Sequence, residues 1–237
     1  MNGLLSALQE IEKIVSALQA LPDKADALIC PPATLIHPMS RISGSRLQIG
    51  AQSCHSRDSG AHTGDLSAEM LADVGANYVI VGHSERRGDH AERSAFVKAQ
   101  AESALRFGLT PVVCVGEDYN QRVRGETNAV IERIMRKSLP DLVHPSDDVV
   151  VAYEPKWAIG TGKVPTAVEI GEVHALIRAV LQDRYGANAQ TFRILYGGSM
   201  KPANAAEILA VPEVNGGLIG GASLKAEDFI AIYEAVK

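Results

Sequence analysis

No apolar run in this chain approaches the roughly 20 residues that a membrane-spanning helix needs, although 46% of its 237 residues are hydrophobic. Cysteine is scarce. Cys30, Cys54 and Cys114 lie far apart and form neither a C-x-x-C pair nor a disulfide framework, so reduced thiols are expected. The N-terminus lacks the succession of basic, apolar and small residues that marks a secretory signal, and a cytoplasmic chain is the expectation. Basic excess is missing too. Lys and Arg total 23 against 28 Asp and Glu, a formal charge of −5, which excludes a general nucleic-acid footprint but leaves room for a local phosphate pocket. The chain has no Walker lysine motif and no dinucleotide glycine fingerprint. His37, His55, His62, His90, His144 and His174 show no pair with a third acidic ligand at metal-type spacing, so neither metal nor cofactor is expected.

What is present is a regular alternation. Strand patterns at Ala27–Cys30, Leu47–Gln52, Tyr78–Gly82, Thr110–Gly116, Val149–Tyr153, Phe192–Tyr196 and Gly217–Ile219 are separated by helical patterns at Ala33–Ile42, Leu66–Val74, Ala91–Phe107, Val123–Leu139, Ala167–Tyr185 and Pro202–Leu209. An amphipathic helix at Leu4–Leu21 precedes them and one at Ala226–Val236 follows. This βα order implies a parallel sheet, closed into a barrel or doubly wound. Special residues follow four different strands, which favours closure of a (β/α) TIM barrel as one domain over 1–237, a size such barrels reach undivided.

Glu154 closes an apolar strand immediately before Pro155, which ends the ladder and leaves the carboxylate at the strand's C-terminal mouth. Trp157, Ala158 and Ile159 then lead into Gly160, Thr161 and Gly162, a glycine-punctuated loop suited to closing over an anion. His83 follows another strand and opens a polar turn, where a helix N-terminus would lower its pKa and let neutral imidazole donate to a carbonyl. Gly197-Gly198-Ser199 and Gly220-Gly221 follow the last two strands, where bare N–H groups make a phosphate cradle. A base, a neutral electrophile, a phosphate grip and a lid suit proton transfer beside a carbonyl on a small phosphorylated substrate.

The strings AYEPKWAIGTGK, GHSERR, CVGE, YGGSMKPANAAEIL, GGLIGGASL and AQSCHSRDSGAHTGD, of which the first, second and fourth together are highly specific, resemble triosephosphate isomerase across essentially the whole chain. The resemblance implies a glycolytic and gluconeogenic isomerase acting on a triose phosphate without cofactor, with Glu154 as base and His83 as the carbonyl-polarising group. It implies phosphate contacts at Gly160, Ser199, Gly220 and Gly221, supporting roles for Ser84 and Glu85, and a buried structural Cys114 near the base. It also implies a homodimer built on the 53–65 loop, with Thr63 near the tip that enters the partner.

Two departures stand out. The family begins with a strand ending in a stretch like G-N-W-K-M-N-G, and this sequence starts at Met1-Asn2-Gly3. The comparison implies a first strand, an asparagine and a lysine that the sequence given does not contain, and hence reduced turnover. A catalytically impaired remnant that binds triose phosphate or serves as a scaffold is the alternative. Lys156 stands where the family carries an apolar hinge residue; a solvated lysine is preferred over a substitute cation.

Overall fold

Alternation along the strands divides the apolar residues between two cores. In this computed structural model, which describes residues 1–142, 144, 146–159 and 163–236, Ile80, Val112, Cys114, Val150 and Ala152 form one buried cluster inside the sheet. Their neighbours Val79, Val81, Val113, Val115, Val151 and Tyr153 point the other way, into a larger cluster beneath the helices. Period-two alternation in strands apolar on both faces is what a parallel sheet covered by helices requires.

Seven strands, β1 (Ala27–Ile29), β2 (Leu47–Ala51), β3 (Tyr78–Val81), β4 (Thr110–Val115), β5 (Val150–Tyr153), β6 (Ile194–Tyr196) and β7 (Gly216–Gly217), pair in chain order. Every pairing is parallel, with Val113 opposite Val151 in the β4–β5 register. The helices are α1 (Leu8–Ala20), α2 (Ala33–Ser40), α3 (Ala68–Asp73), α4 (Ser84–Asp89), α5 (Ser94–Arg106), α6 (Tyr119–Val123), α7 (Thr127–Ser138), α8 (Ala167–Tyr185), α9 (Pro202–Leu209) and α10 (Ala226–Glu234). This is the expected parallel α/β barrel architecture. Two short helices fall between the patterns read from the sequence: α4, and α6, whose start is fixed by a reciprocal Asp118–Gln121 capping box. The last strand also begins one residue earlier than its pattern suggested.

The sheet is curled far enough that its first and last helices meet. The α1 residue Glu10 accepts from Ala226 N at 2.8 Å, capping the start of α10 with a carboxylate. Arg46, just before β2, donates to the carbonyls of Leu18 and Leu21 at the end of α1 and to Tyr233 Oη in α10. The strands' C-terminal ends therefore converge on one rim, and with them the loops that follow.

His174 on α8 shows how this packing couples to pH. It is fully buried, its Nδ1 lies 3.0 Å from the Glu213 carbonyl, and the edge of its ring meets Tyr153. Burial, outweighing the Glu213 carbonyl and carboxylate, pulls the imidazole down from 6.5 to about 4. The folded pKa lies below the unfolded one, so the unfolded chain binds the extra proton and stability falls as pH drops from the unfolded value towards the folded one. The loss should approach about 3 kcal/mol. Urea midpoints at pH 7 and pH 4.5 check this: His174→Gln should have the flatter dependence, and parallel slopes would exclude His174 as the source.

Candidate active site

Glu154 follows β5 directly. Its backbone N–H continues the ladder to Val115 O at 2.7 Å, and Gly197 N donates to Tyr153 O at 2.7 Å on the other side, so the chain is fixed from both neighbouring strands at the point where the carboxylate leaves it. Gly116 and Gly197 make room for it. A Cβ on Gly116 would overlap the Glu154 carbonyl group, and one on Gly197 would lie 2.9 Å from Glu154 Cγ. Close approach of backbone, rather than turn geometry, is the reason for glycine at these two positions.

The carboxylate is 2% exposed and both of its oxygens are engaged. His83 Nε2 lies 2.8 Å from Oε1, and Ser84 N donates to Oε2 at 2.9 Å. Seventy residues separate Ser84 from Glu154 in sequence, and the ends of β3 and β5, on either side of β4, bring them together. His83 Nδ1 accepts from Glu85 N at 3.3 Å, which leaves Nε2 to carry the proton of a neutral ring. The Glu85 side chain itself is exposed, and its contribution here is mainly the backbone N–H.

The pKa of His83 departs from the sequence-based expectation. Burial presses it down, but the hydrogen bond and charge of Glu154, with Glu85 beyond, together hold it above its ordinary value. The sequence showed the position at the helix start; it did not show the carboxylate parked against the ring. Cys114 is buried beside this pair, and burial together with the Glu154 charge raises its thiol well above the usual range, which makes it an inert filler rather than a nucleophile.

Beyond Pro155 the chain forms a single helical turn, Lys156–Ala158. Trp157 Nε1 donates to Glu117 Oε1 at 2.9 Å, and Tyr153 Oη donates to the same oxygen at 3.2 Å. Glu117 is fully buried after β4, and sequence reasoning gave it no role. The signal was there: like Glu154, it is a carboxylate immediately past an apolar strand. Arg122 lies over the Trp157 ring, 5.7 Å from its centroid, and pairs with Glu169. Ser199 Oγ donates to Ala158 O at 2.8 Å and so touches the stem of the loop. Lys156 is exposed on that stem. Gly160, expected at the lid, lies outside the described residues.

Gly220 and Gly221 follow β7 and are exposed, with open space where a side chain would stand. Gly198 differs from them, since a Cβ there would run into the Tyr196 ring. Thr63 is exposed on the 53–65 loop. The folding of the same loop brings ligand atoms of His55, His62 and Asp65 within 4.8 Å of one another, a grouping that sequence spacing does not show. No helix of the described residues is long and apolar enough to cross a membrane.

Comparison with known proteins agrees with this geometry. A family model described as triosephosphate isomerase matches residues 1–236. A triosephosphate isomerase of Hyphomonas neptunium is 58% identical over 234 residues, spanning 98% of this chain and 94% of its own length. One of Rhodopseudomonas palustris is 54% identical over 235 residues, spanning 98% and 92%. A crystal structure of triosephosphate isomerase from Bartonella henselae superposes with a TM-score of 0.91 at 42% identity, covering 99% of this chain and 94% of that one.

Proposed function

The chain belongs to the triosephosphate isomerase family, and we propose that Glu154 and His83 are the groups through which it interconverts dihydroxyacetone phosphate and D-glyceraldehyde 3-phosphate. The observation that carries the assignment is their 2.8 Å contact at the rim where the strands end. A carboxylate base beside a histidine donor is a pairing long established for this family as a whole.

Glu154 takes a proton from the carbon beside the carbonyl, and the electron pair moves to the carbonyl oxygen. His83 Nε2–H gives its proton to that oxygen and takes the one on the neighbouring hydroxyl, and Glu154 returns the carbon-derived proton to the former carbonyl carbon. One carbon is oxidised as the other is reduced, so the reaction balances within the substrate. In the free protein Glu154 is parked on His83 and Ser84 N. Substrate must displace two charge-assisted hydrogen bonds, each worth about 1.5–3 kcal/mol. When the carboxylate swings away, the group that raises the His83 pKa leaves with it, and burial then favours the neutral imidazole that the reaction needs.

Backbone at Ser199, Gly220 and Gly221 holds the phosphate in this reading, and the family resemblance adds Gly160. A homodimer through the 53–65 loop, a single domain, a cytoplasmic location and a place in glycolysis and gluconeogenesis complete it; the three free cysteines support a reducing compartment. Near-complete coverage of isomerase relatives favours a working enzyme over a binding remnant.

His83→Gln tests the pairing. Turnover should fall on the order of a hundred-fold or more, while phosphoglycolate still binds. Turnover close to that of the parent would remove His83 from the mechanism.

A further inference from the structure

A groove of about 450 Å³ runs over the outer surface between α8 and α9. It is remote from the 53–65 loop, because α8 and α9 follow β5 and β6 whereas that loop follows β2. Val168, Gly171, Val211 and Pro212 make its lining largely apolar, and Glu172 from α8 and Glu207 from α9 bring a carboxylate to it from either helix. A second hollow of about 40 Å³ adjoins it and shares Ala167, Glu207 and Val211. We propose that the groove is a binding site for a small amphiphilic organic cation, an ammonium group carried on an apolar chain or ring.

Volume sets the size of the occupant. Small-molecule sites span roughly 300–1,000 Å³, and the groove lies in that range. The adjoining hollow exceeds the roughly 10–15 Å³ that holds one water, so the apolar end of a ligand has room to enter it. Gly171 keeps the groove open. It stands inside the 19-residue α8, where glycine costs helix stability relative to alanine. Its backbone is not left-handed, and an added Cβ would meet Val211 Cγ1 at 3.4 Å, an ordinary contact. Neither conformation nor packing calls for glycine here, and a longer side chain would project toward Val211 and fill the groove.

Charge selects the sign. Glu172 and Glu207 are exposed, neither carboxylate makes an ion pair or hydrogen bond among the described residues, and no basic residue lines the groove. The C-terminal end of α9, at Ala210, adds the negative end of a helix dipole. One feature opposes a cation: the positive end of α8, at Ala167 and Val168, borders the same groove. That end is already met within the chain, since Thr166 Oγ1 accepts from Glu169 N at 3.3 Å and the Glu169 carboxylate accepts from Thr166 N at 2.7 Å. Exposed charge pairs contribute little by themselves. Burial of the apolar part must therefore supply most of the affinity, which excludes a bare inorganic cation and requires an amphiphile.

Hexylammonium, hexanol and hexanoate, titrated into the full chain at pH 7 and low salt and followed by amide NMR, test this. The ammonium should bind saturably with a millimolar Kd, moving the Gly171 and Ala210 resonances. It should bind at least about three-fold more tightly than the alcohol and about ten-fold more tightly than the carboxylate. In Glu172→Gln/Glu207→Gln its affinity should fall to that of hexanol, whose own binding stays unchanged. Gly171→Leu should abolish the shift at Ala210 with either probe. Equal affinity for all three probes, an unchanged ammonium affinity in the double variant, undiminished binding in Gly171→Leu, or no saturable shift in the parent would each overturn the site. Both glutamates are exposed and leucine is a better helix former than glycine, so circular dichroism of each variant should match the parent. If Gly171→Leu misfolds, the double variant still decides the matter.

Discussion

Replacing Glu154 by glutamine is expected to lower isomerisation by at least about a thousand-fold, on the order of 4 kcal/mol of barrier, while leaving the fold in place. Glutamine keeps the volume of a nearly buried side chain and can still accept from Ser84 N, so packing around β5 and β6 has no reason to change. It cannot take a proton from carbon. A second readout separates loss of the base from general damage. The Glu154 hydrogen bond and charge hold the His83 pKa up against burial. Removing the charge should move the His83 NMR titration midpoint down, toward the side that burial favours. Lost turnover with an unmoved His83 midpoint would mean that the contact at 2.8 Å is not what sets the imidazole.

Gly116→Ala should have a comparable effect by a different route. A methyl group at Gly116 would stand inside the Glu154 carbonyl group and 2.6 Å from its carbon, and the obstacle is backbone of the neighbouring strand rather than a side chain that can turn away. Either β4 and β5 separate at their ends or the Glu154 main chain shifts. The first breaks the ladder bond from Glu154 N to Val115 O, and the second moves the base itself. A destabilisation of more than about 4 kcal/mol is expected, read as a fall in the urea midpoint, together with a loss of turnover in whatever fraction folds. An alanine variant of parental stability and activity would show that the strands give way more easily than their packing suggests. Gly220→Ala is the contrasting control: nothing stands where its methyl would lie, so stability should hold.

Much of this was legible in the chain. The runs around Val113 and Val151 read directly as buried parallel strands, because residues apolar on both faces have no other parallel-sheet reading. Pro155 marked where Glu154 must leave the ladder. Other features were illegible for physical reasons. The need for glycine at Gly116 arises from the neighbouring strand, which local sequence cannot report. Glu117 satisfies Tyr153 and Trp157 across a gap of about forty residues, a pairing set by strand register rather than by spacing. His55, His62 and Asp65 converge through loop folding, which follows no repeat. The upward pull on His83 depended on where a side chain from another strand comes to rest.

The central claim is that one carboxylate, Glu154, carries the proton between adjacent carbons. Following dihydroxyacetone phosphate by NMR in heavy water, with the parent chain and with Glu154→Gln, tests it most directly. The parent should incorporate solvent deuterium at the carbon beside the carbonyl as isomerisation proceeds, and Glu154→Gln should incorporate none above the uncatalysed background. Deuterium entering at the parent's rate in the variant would contradict the assignment and require another base at the rim.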